Sequence, residues 1–239
     1  EQPANAVVFE DPVLQSEMVS RYDKDANGYL TEDELTTADG YLWVSCVWHD
    51  DRVQSLNGLE NFNNIEILNV GECYEISDFS VFKQLNNLRR LYIDGCKKID
   101  DFEWLSECKK LNLLQGEFEG IGCLKGLENL KYFSSLSISA KKVDSWDSLE
   151  KLTNLTSLTL TGTGFTDASL LSKMQKLRYL NLDNNKTFTD IWALADLKSL
   201  RYLSLDGTGV SDEEKWNFQG IPDEISGLPG DKMPILKYY

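Results

Sequence analysis

One phrase of the sequence recurs seven times between Ile65 and Leu205, and it constrains the fold more than any other feature. Each copy reads apolar, two residues, apolar, one residue, apolar, and then a small polar residue or Cys. The copies start 22 or 23 residues apart, at Ile65, Leu88, Leu111, Phe133, Leu155, Leu177 and Leu200. Because one copy cannot bury its own apolar face, the copies must stack into an elongated solenoid.

A period in this range with an L-x-x-L-x-L-x-x-N/C core is the leucine-rich-repeat signature. The second half of each copy, such as Phe188-Thr-Asp190, leaves room for a helical turn or 3₁₀ segment but not for a full helix. The pattern resembles the 22-residue repeats of bacterial internalin-like proteins over about 160 residues. The expected fold is α/β: a solenoid with a parallel sheet on its concave face and short 3₁₀ or helical segments on its convex face.

Two positions within the repeat carry further expectations. The residue three places after each strand should turn inward, where its polar group can meet backbone atoms left free by the turn; this position holds Cys73, Cys96, Thr163, Asn185 and Thr208. The third copy is degenerate, because Gly116 stands where the second strand leucine belongs. Either that strand is distorted, or it runs Phe118-x-x-Ile121 in a shifted register.

A second motif precedes the repeats. The twelve residues from Asp23 to Glu34 match an EF-hand calcium loop, with glycine at position 6. The expected ligands are side-chain oxygens and one backbone carbonyl: Asp23, Asp25, Asn27, Tyr29 (carbonyl), Thr31 and Glu34. Helical spacing flanks the loop over 11–22 and 31–38, and Leu30 should anchor it to the core. The alternative is a loop that kept its residues but binds no metal, since EF-hands normally pair and this chain has one.

The order of the two motifs resembles secreted leucine-rich-repeat proteins of gut-type anaerobic bacteria. That resemblance implies a helical EF-hand-like cap over residues 1–40, a solenoid over 41–212 and a C-terminal cap over 213–239. It also implies a first strand formed by Leu42, Val47 and Val53, and a secreted or cell-surface location. Cellulosomal dockerins use similar loops but carry two, so a dockerin role is disfavoured. The start at Glu1 suggests a trimmed mature protein.

Charge and cysteine content limit the partners. The net charge is −15, and residues 1–60 hold 13 acidic against 3 basic residues, which disfavours nucleic acid and anionic membranes. No apolar run approaches the length of a membrane span. The five cysteines cannot all pair. A Cys73–Cys96 bridge is conceivable between adjacent strands, but free buried thiols are favoured.

The sequence predicts no catalytic residues. Its one histidine, His49, is followed by Asp50 and Asp51, and nothing around it resembles a nucleophile elbow or a related arrangement. The Gly-Thr-Gly segments at 162–164 and 207–209 are interpreted as turns between repeats, because no long helix follows them.

The predicted function is a non-catalytic, monomeric module that binds a protein partner on its concave face. A carbohydrate-binding or adhesive surface protein is the alternative, and a third possibility is that the chain is one segment of a longer protein. Candidate contact residues cluster at the two ends of the face: Arg90, Tyr92 and Asp94; Tyr179, Asn181, Asp183, Tyr202, Ser204 and Asp206. Tyrosine and arginine are enriched at binding hot spots, although tyrosine also simply suits an exposed strand.

Overall fold

The computed structural model describes residues 3–38, 40–48, 51–218 and 224–226. Its main feature is a parallel sheet that has nine strands within those residues and follows chain order from one end to the other. The strands are β3 (Tyr41–Ser45), β6 (Ile67–Gly71), β7 (Arg90–Cys96), β8 (Leu113–Phe118), β9 (Ser135–Ala140), β10 (Ser157–Thr161), β11 (Tyr179–Asn181), β12 (Tyr202–Ser204) and β13 (Glu224–Ser226).

The register of this sheet follows the repeat, as predicted. The second leucine of each phrase pairs with its counterpart in the next strand, for example Leu158 with Leu180 and Leu180 with Leu203. These leucines are fully buried. The alternate residues face away from the core and form the concave surface, which fixes the positions of the candidate contact residues.

The convex side consists of short 3₁₀ turns, also as predicted. They span Leu59–Asn61, Ser80–Gln84, Glu103–Leu105, Leu127–Asn129, Leu149–Lys151, Ala168–Leu171 and Ile191–Leu194. Each turn buries apolar side chains against the backs of the strands. Seven such turns stack along the solenoid and close the core from the side opposite the sheet.

The inward polar position holds the turns in place. Asn185 is completely buried; its Nδ2 donates to the carbonyls of Leu160 (2.6 Å) and Leu182 (2.8 Å), and its Oδ1 accepts from the N–H of Phe165 (2.9 Å). Thr163 is buried at the equivalent place and donates to the carbonyl of Leu160 at 3.2 Å. The expected architectural role is confirmed for these residues.

Cysteines occupy the same position near the N-terminal end, where a third one joins the predicted two. Cys46 lies beside Cys73, with the two sulfurs 3.6 Å apart, and Cys96 follows on the other side. Hydrogen bonding with Cys46 and Cys96, together with burial, raises the pKa of the Cys73 thiol. These three thiols therefore form a buried row.

The third repeat keeps the normal register, so the shifted alternative was wrong. Gly116 pairs with Ile93 and Ile138, and an irregularity follows between Ile93 and Cys96 of β7. A Cβ at Gly116 would lie 2.6 Å from Cε2 of Phe118. The buried phenyl ring therefore fills the space that the missing leucine leaves.

The N-terminal cap contains α1 (Pro12–Tyr22), α2 (Glu32–Leu35) and a 3₁₀ turn at Thr36–Ala38. Helix α1 agrees with the prediction, and the Asp11 side chain caps it. The segment 31–38 is not one helix, because only four residues are α-helical before the 3₁₀ turn begins. A short antiparallel pair joins β1 (Ala6–Val7) to β2 (Leu30–Thr31).

The predicted first strand was partly wrong. Leu42 does point into the core from β3, but its inward partner is Val44. Val47 belongs to β4 (Val47–Trp48), which pairs antiparallel with β5 (Asp51–Arg52), and Val53 is the buried residue that follows. A small hairpin therefore follows the first strand, and periodicity cannot predict it because it lies before the repeats begin.

At the other end, α3 (Asp212–Asn217) follows the last predicted repeat, and β13 then adds one more strand to the sheet. Most of the predicted C-terminal cap lies outside the described residues, as do His49 and Asp50. No helix within the described residues is long and apolar enough to cross a membrane.

Candidate functional site

The loop from Asp23 to Glu34 brings three carboxylates together. One oxygen each from Asp23, Asp25 and Glu34 lies within 4.8 Å of the others. Gly28, at the sharp turn of the loop, has φ +83° and lies in the left-handed region, where a side chain is unfavourable. The loop therefore folds back on itself and points its acidic side chains toward one place.

Hydrogen bonds within the loop fix these side chains. Asp23 accepts the N–H groups of Asn27 (3.2 Å) and Gly28 (2.8 Å). Glu34 accepts the N–H groups of Lys24 and Thr31, both at 2.9 Å, and the Thr31 hydroxyl. The bond from Lys24, followed by that from the Thr31 hydroxyl, lowers the pKa of Glu34. This carboxylate is therefore ionised and held in place at neutral pH.

The donor set fits a hard cation. Calcium takes six to eight oxygen ligands at about 2.3–2.6 Å, so two ligands on opposite sides of one ion lie about 5 Å apart. The separation of up to 4.8 Å among the three carboxylates lies within that span. Asn27 and Thr31 lie beside them, hydrogen-bonded to Asp25 and Glu34 respectively.

The exit of the loop is anchored in the way expected of Leu30. Leu30 is fully buried and pairs with Val7, while Thr31 pairs with Ala6. The single loop therefore obtains a strand partner from the N-terminal segment of its own chain. This antiparallel pair joins the end of the loop to the first residues of the cap.

The helix that leads into the loop also reaches the concave face. Glu17 is completely buried on α1, accepts the N–H of Ser45 at 3.3 Å and pairs with Arg21. The Arg21 guanidinium lies 4.6 Å from the centre of the Trp43 ring and donates to the Trp43 carbonyl. Trp43, on the first strand of the sheet, therefore contacts the cap through Arg21, which lies two residues before the loop begins at Asp23.

The N-terminal half of the concave face carries two exposed aromatic side chains beside half-buried aromatic and apolar ones. Tyr41 and Trp43 of β3 are 50% and 43% exposed. Two rows cross the strands here: Tyr41, Ile67, Arg90 and Leu113; Trp43, Asn69, Tyr92 and Gln115. The predicted Arg90 and Tyr92 lie within this surface, which we call the aromatic end of the face.

The C-terminal cluster is more tightly bonded within itself. The rings of Tyr179 and Tyr202 are stacked side by side. Asp183 accepts from the Ser204 hydroxyl (2.6 Å), the Asp206 N–H (2.7 Å) and the Asn181 amide (2.9 Å). Ser204 is buried, so it supports the surface rather than faces a partner. The middle of the face consists of serine and threonine on β9 and β10.

Tyr41 and Trp43 are the surface residues that reasoning from the repeats missed. The alternation Tyr-Leu-Trp-Val from 41 to 44 is the signal that identifies them, because it places two aromatic side chains on one face of a strand. It stands outside the regular period, because it precedes the first full repeat and the β4–β5 hairpin separates the two.

The fold has counterparts among solved structures. No known protein-family model matches the chain. No curated protein matches its sequence. An internalin C2 from Listeria monocytogenes str. 4b F2365 is 20% identical, with a TM-score of 0.57 over 86% of this chain and 99% of that one. An internalin, inlF, from the same strain is 19% identical over 92% of this chain and 88% of that one, with a TM-score of 0.37. The parallel sheet, the 3₁₀ turns and the likeness to internalin C2 together identify the fold as an internalin-like leucine-rich-repeat solenoid.

Proposed function

We propose that this chain is a non-catalytic module that binds another protein on its concave face. The observation that carries the proposal is the aromatic end of the face, where Tyr41 and Trp43 are exposed beside Tyr92 and Arg90. Tyrosine, tryptophan and arginine are the residue types that dominate binding hot spots. A solenoid also presents them on one extended concave surface.

The cap supports this surface from the side. Arg21 contacts Trp43. The calcium loop begins immediately after Tyr22, and the ring centre of Tyr22 lies 5.5 Å from that of Phe62. In our proposal a calcium ion held by Asp23, Asp25, Asn27, Tyr29, Thr31 and Glu34 stabilises the cap. The ion neutralises the repulsion among the loop carboxylates and so favours the folded loop. The role is structural, because a single loop has no second loop to which opening could be transmitted.

The cellular setting that we propose is the exterior of a bacterium, secreted or on the cell surface, with a host or bacterial surface protein as the partner. The high acidic content of the chain favours a basic partner surface. Carbohydrate is the second candidate ligand, and the stacked pair Tyr179–Tyr202 favours it because the pair offers a flat aromatic platform.

Capture of partners from surface extracts tests the proposal. Immobilised wild type should retain a protein that the variant Tyr41→Ala/Tyr92→Ala loses, at equal melting temperature. Tyr132→Ala is the matched control, because Tyr132 is an exposed tyrosine outside the concave rows. Retention that is equal in all three proteins would contradict a concave site. Binding on a glycan array that is lost in Tyr179→Ala/Tyr202→Ala would favour the carbohydrate candidate instead.

A further inference from the structure

A pocket of about 580 Å³ opens at the edge of the sheet where β7, β8 and β9 end. Its volume falls within the usual range of about 300–1,000 Å³ for ligand sites. Its floor is apolar: Cys96, Phe118 and Ala140 are neighbours in the strand register and are all buried. The pocket is separate from the calcium loop and from the Tyr179–Tyr202 stack, and at Gly95 it adjoins the cluster of Arg90, Tyr92 and Asp94.

The pocket exists because the repeats are irregular here. Ala140 and Gly162 leave space beside the ring of Phe118. Tyr74 forms one wall by lying over Gly95, where a Cβ would be 2.9 Å from Cε1 of the tyrosine. Gly95 also has φ +73°, so glycine is needed there both for the backbone conformation and for the position of the ring.

The charges around the rim do not balance. Lys97 pairs with Glu75 and Lys141 with Glu119, both at 3.0 Å across neighbouring repeats. Glu117 also lines the pocket, and its carboxylate takes part in no ion pair within the described residues. The Arg52 guanidinium lies 5.4 Å from the centre of the Tyr74 ring, on the wall of the pocket. Among the carboxylates that line the pocket, Glu117 is therefore the one left without an ion pair beside the apolar floor.

A second carboxylate lies next to Glu117. Asp94 occupies the corresponding repeat position on β7, at the irregularity between Ile93 and Cys96 and beside the lining of the pocket rather than in it. Partial loss of solvent followed by repulsion from Glu117 raises the pKa of Asp94, partly opposed by the Glu117 N–H, which donates to it. Two adjacent carboxylates repel one another, and a positive group placed between them would relieve that repulsion. The planar guanidinium meets paired carboxylate oxygens and also stacks on aromatic rings.

We propose that this pocket receives an arginine side chain of the partner protein. The alkyl stem would lie over Phe118 beside Tyr74, and the guanidinium would reach Glu117 and Asp94. The inference rests on the proposed protein-binding function and names the chemistry by which the partner is anchored. Arginine is favoured over lysine because the pocket combines an aromatic wall with the carboxylate of Glu117, and Asp94 lies just beyond the lining.

Calorimetric titration with hexa-arginine, hexa-lysine and hexa-citrulline at physiological salt tests the assignment. Hexa-arginine should bind best, and hexa-citrulline, which has the same shape without the charge, should not bind. Glu117→Gln should weaken hexa-arginine about tenfold, and Tyr74→Ala should also weaken it. The control Glu107→Gln makes the same change of charge on an exposed glutamate elsewhere and should change affinity less than about twofold.

Three outcomes would overturn the proposal: no binding of hexa-arginine, equal binding of hexa-lysine or hexa-citrulline, or equal weakening by Glu117→Gln and Glu107→Gln. These results are distinguishable from failure of the proposed function. A partner captured through Tyr41 and Tyr92 whose affinity is unchanged by Glu117→Gln would leave protein binding intact and remove only the arginine site.

Discussion

The rings of Tyr179 and Tyr202 lie parallel, with centroids 4.5 Å apart and an interplanar angle of 2°. The two residues occupy equivalent positions on paired strands, so the repeat itself brings them into contact. Loss of solvent around Tyr179 raises the pKa of its phenol.

We expect the stack to be measurable in a double-mutant cycle. Tyr179→Ala and Tyr202→Ala, singly and together, should give a coupling free energy of about 0.5–1.5 kcal/mol in denaturant unfolding. If a ligand binds at this end of the face through the rings, Tyr179→Phe and Tyr202→Phe should keep the binding. Tyr179→Ala and Tyr202→Ala should lose the binding. A coupling of zero would mean that the rings are independent in solution.

Calcium should raise the stability of the cap. At free calcium about 100-fold above the dissociation constant, linkage adds about 2.7 kcal/mol, so thermal melting should occur at a higher temperature in calcium than in chelator. Glu34→Gln should remove most of the difference, whereas Glu32→Gln, an equal change of charge on exposed α2, should preserve it. If wild type melts identically in calcium and in chelator, the loop does not bind the ion.

Asn185→Ala should be among the most destabilising single changes. It leaves the carbonyls of Leu160 and Leu182 and the N–H of Phe165 without their buried partner. We expect a loss of about 3 kcal/mol in the free energy of unfolding. The exposed Asn154→Ala should change it by less than about 0.5 kcal/mol. Similar losses for the two variants would show that water replaces the hydrogen bonds of the Asn185 side chain.

In the third repeat a phenyl ring fills the space of a leucine, which predicts that substitutions at Gly116 and Phe118 partly compensate each other. Gly116→Leu should destabilise the chain because its side chain would overlap the ring of Phe118, and Phe118→Ala should leave a cavity. Their combination removes the overlap with the ring but leaves the Cβ 2.8 Å from the carbonyl oxygen of Ile93. We therefore expect a favourable coupling of about 1–3 kcal/mol without full recovery of stability. Strictly additive losses in chemical unfolding would contradict this account of the packing.

Buried Glu17 should make stability depend on pH. Burial raises its pKa in the folded protein, partly opposed by the Ser45 N–H and by Arg21. The folded state then binds its proton more tightly than the unfolded state does. The stabilising contribution of Glu17 to the free energy of unfolding is therefore fully present below its unfolded pKa of about 4.3. It is lost as pH rises through the raised pKa of the folded state.

The measurement is the difference in unfolding free energy between wild type and Glu17→Gln across that pH range, since the difference cancels the other carboxylates. As pH rises, the unfolding free energy of wild type should fall relative to that of Glu17→Gln. A difference that is constant with pH would mean that the pKa of Glu17 is the same in the folded and unfolded states.

The sequence alone predicted the repeats, the register of the regular copies and the convex turns. Alternation along a strand is a local rule, so Leu180 faces inward and Tyr179 outward whatever the neighbouring repeat contains. The inward role of Asn185 and the oxygen-rich loop from Asp23 to Glu34 follow from spacing in the same way.

The space and charge around a side chain depend on neighbouring segments, and only the folded structure shows them. Only the packing shows that Phe118 replaces the leucine missing at Gly116. The ring of Phe118 occupies the space beside Gly116, two residues earlier on the same strand, and Phe118 pairs with Cys96 of the preceding repeat. The exposure of Trp43 beside Arg21, the burial of Ser204 and the unpaired charge of Glu117 likewise arise where separate segments meet. A period in the sequence specifies which way a side chain points, whereas the space and charge around it are set by residues that the period does not control.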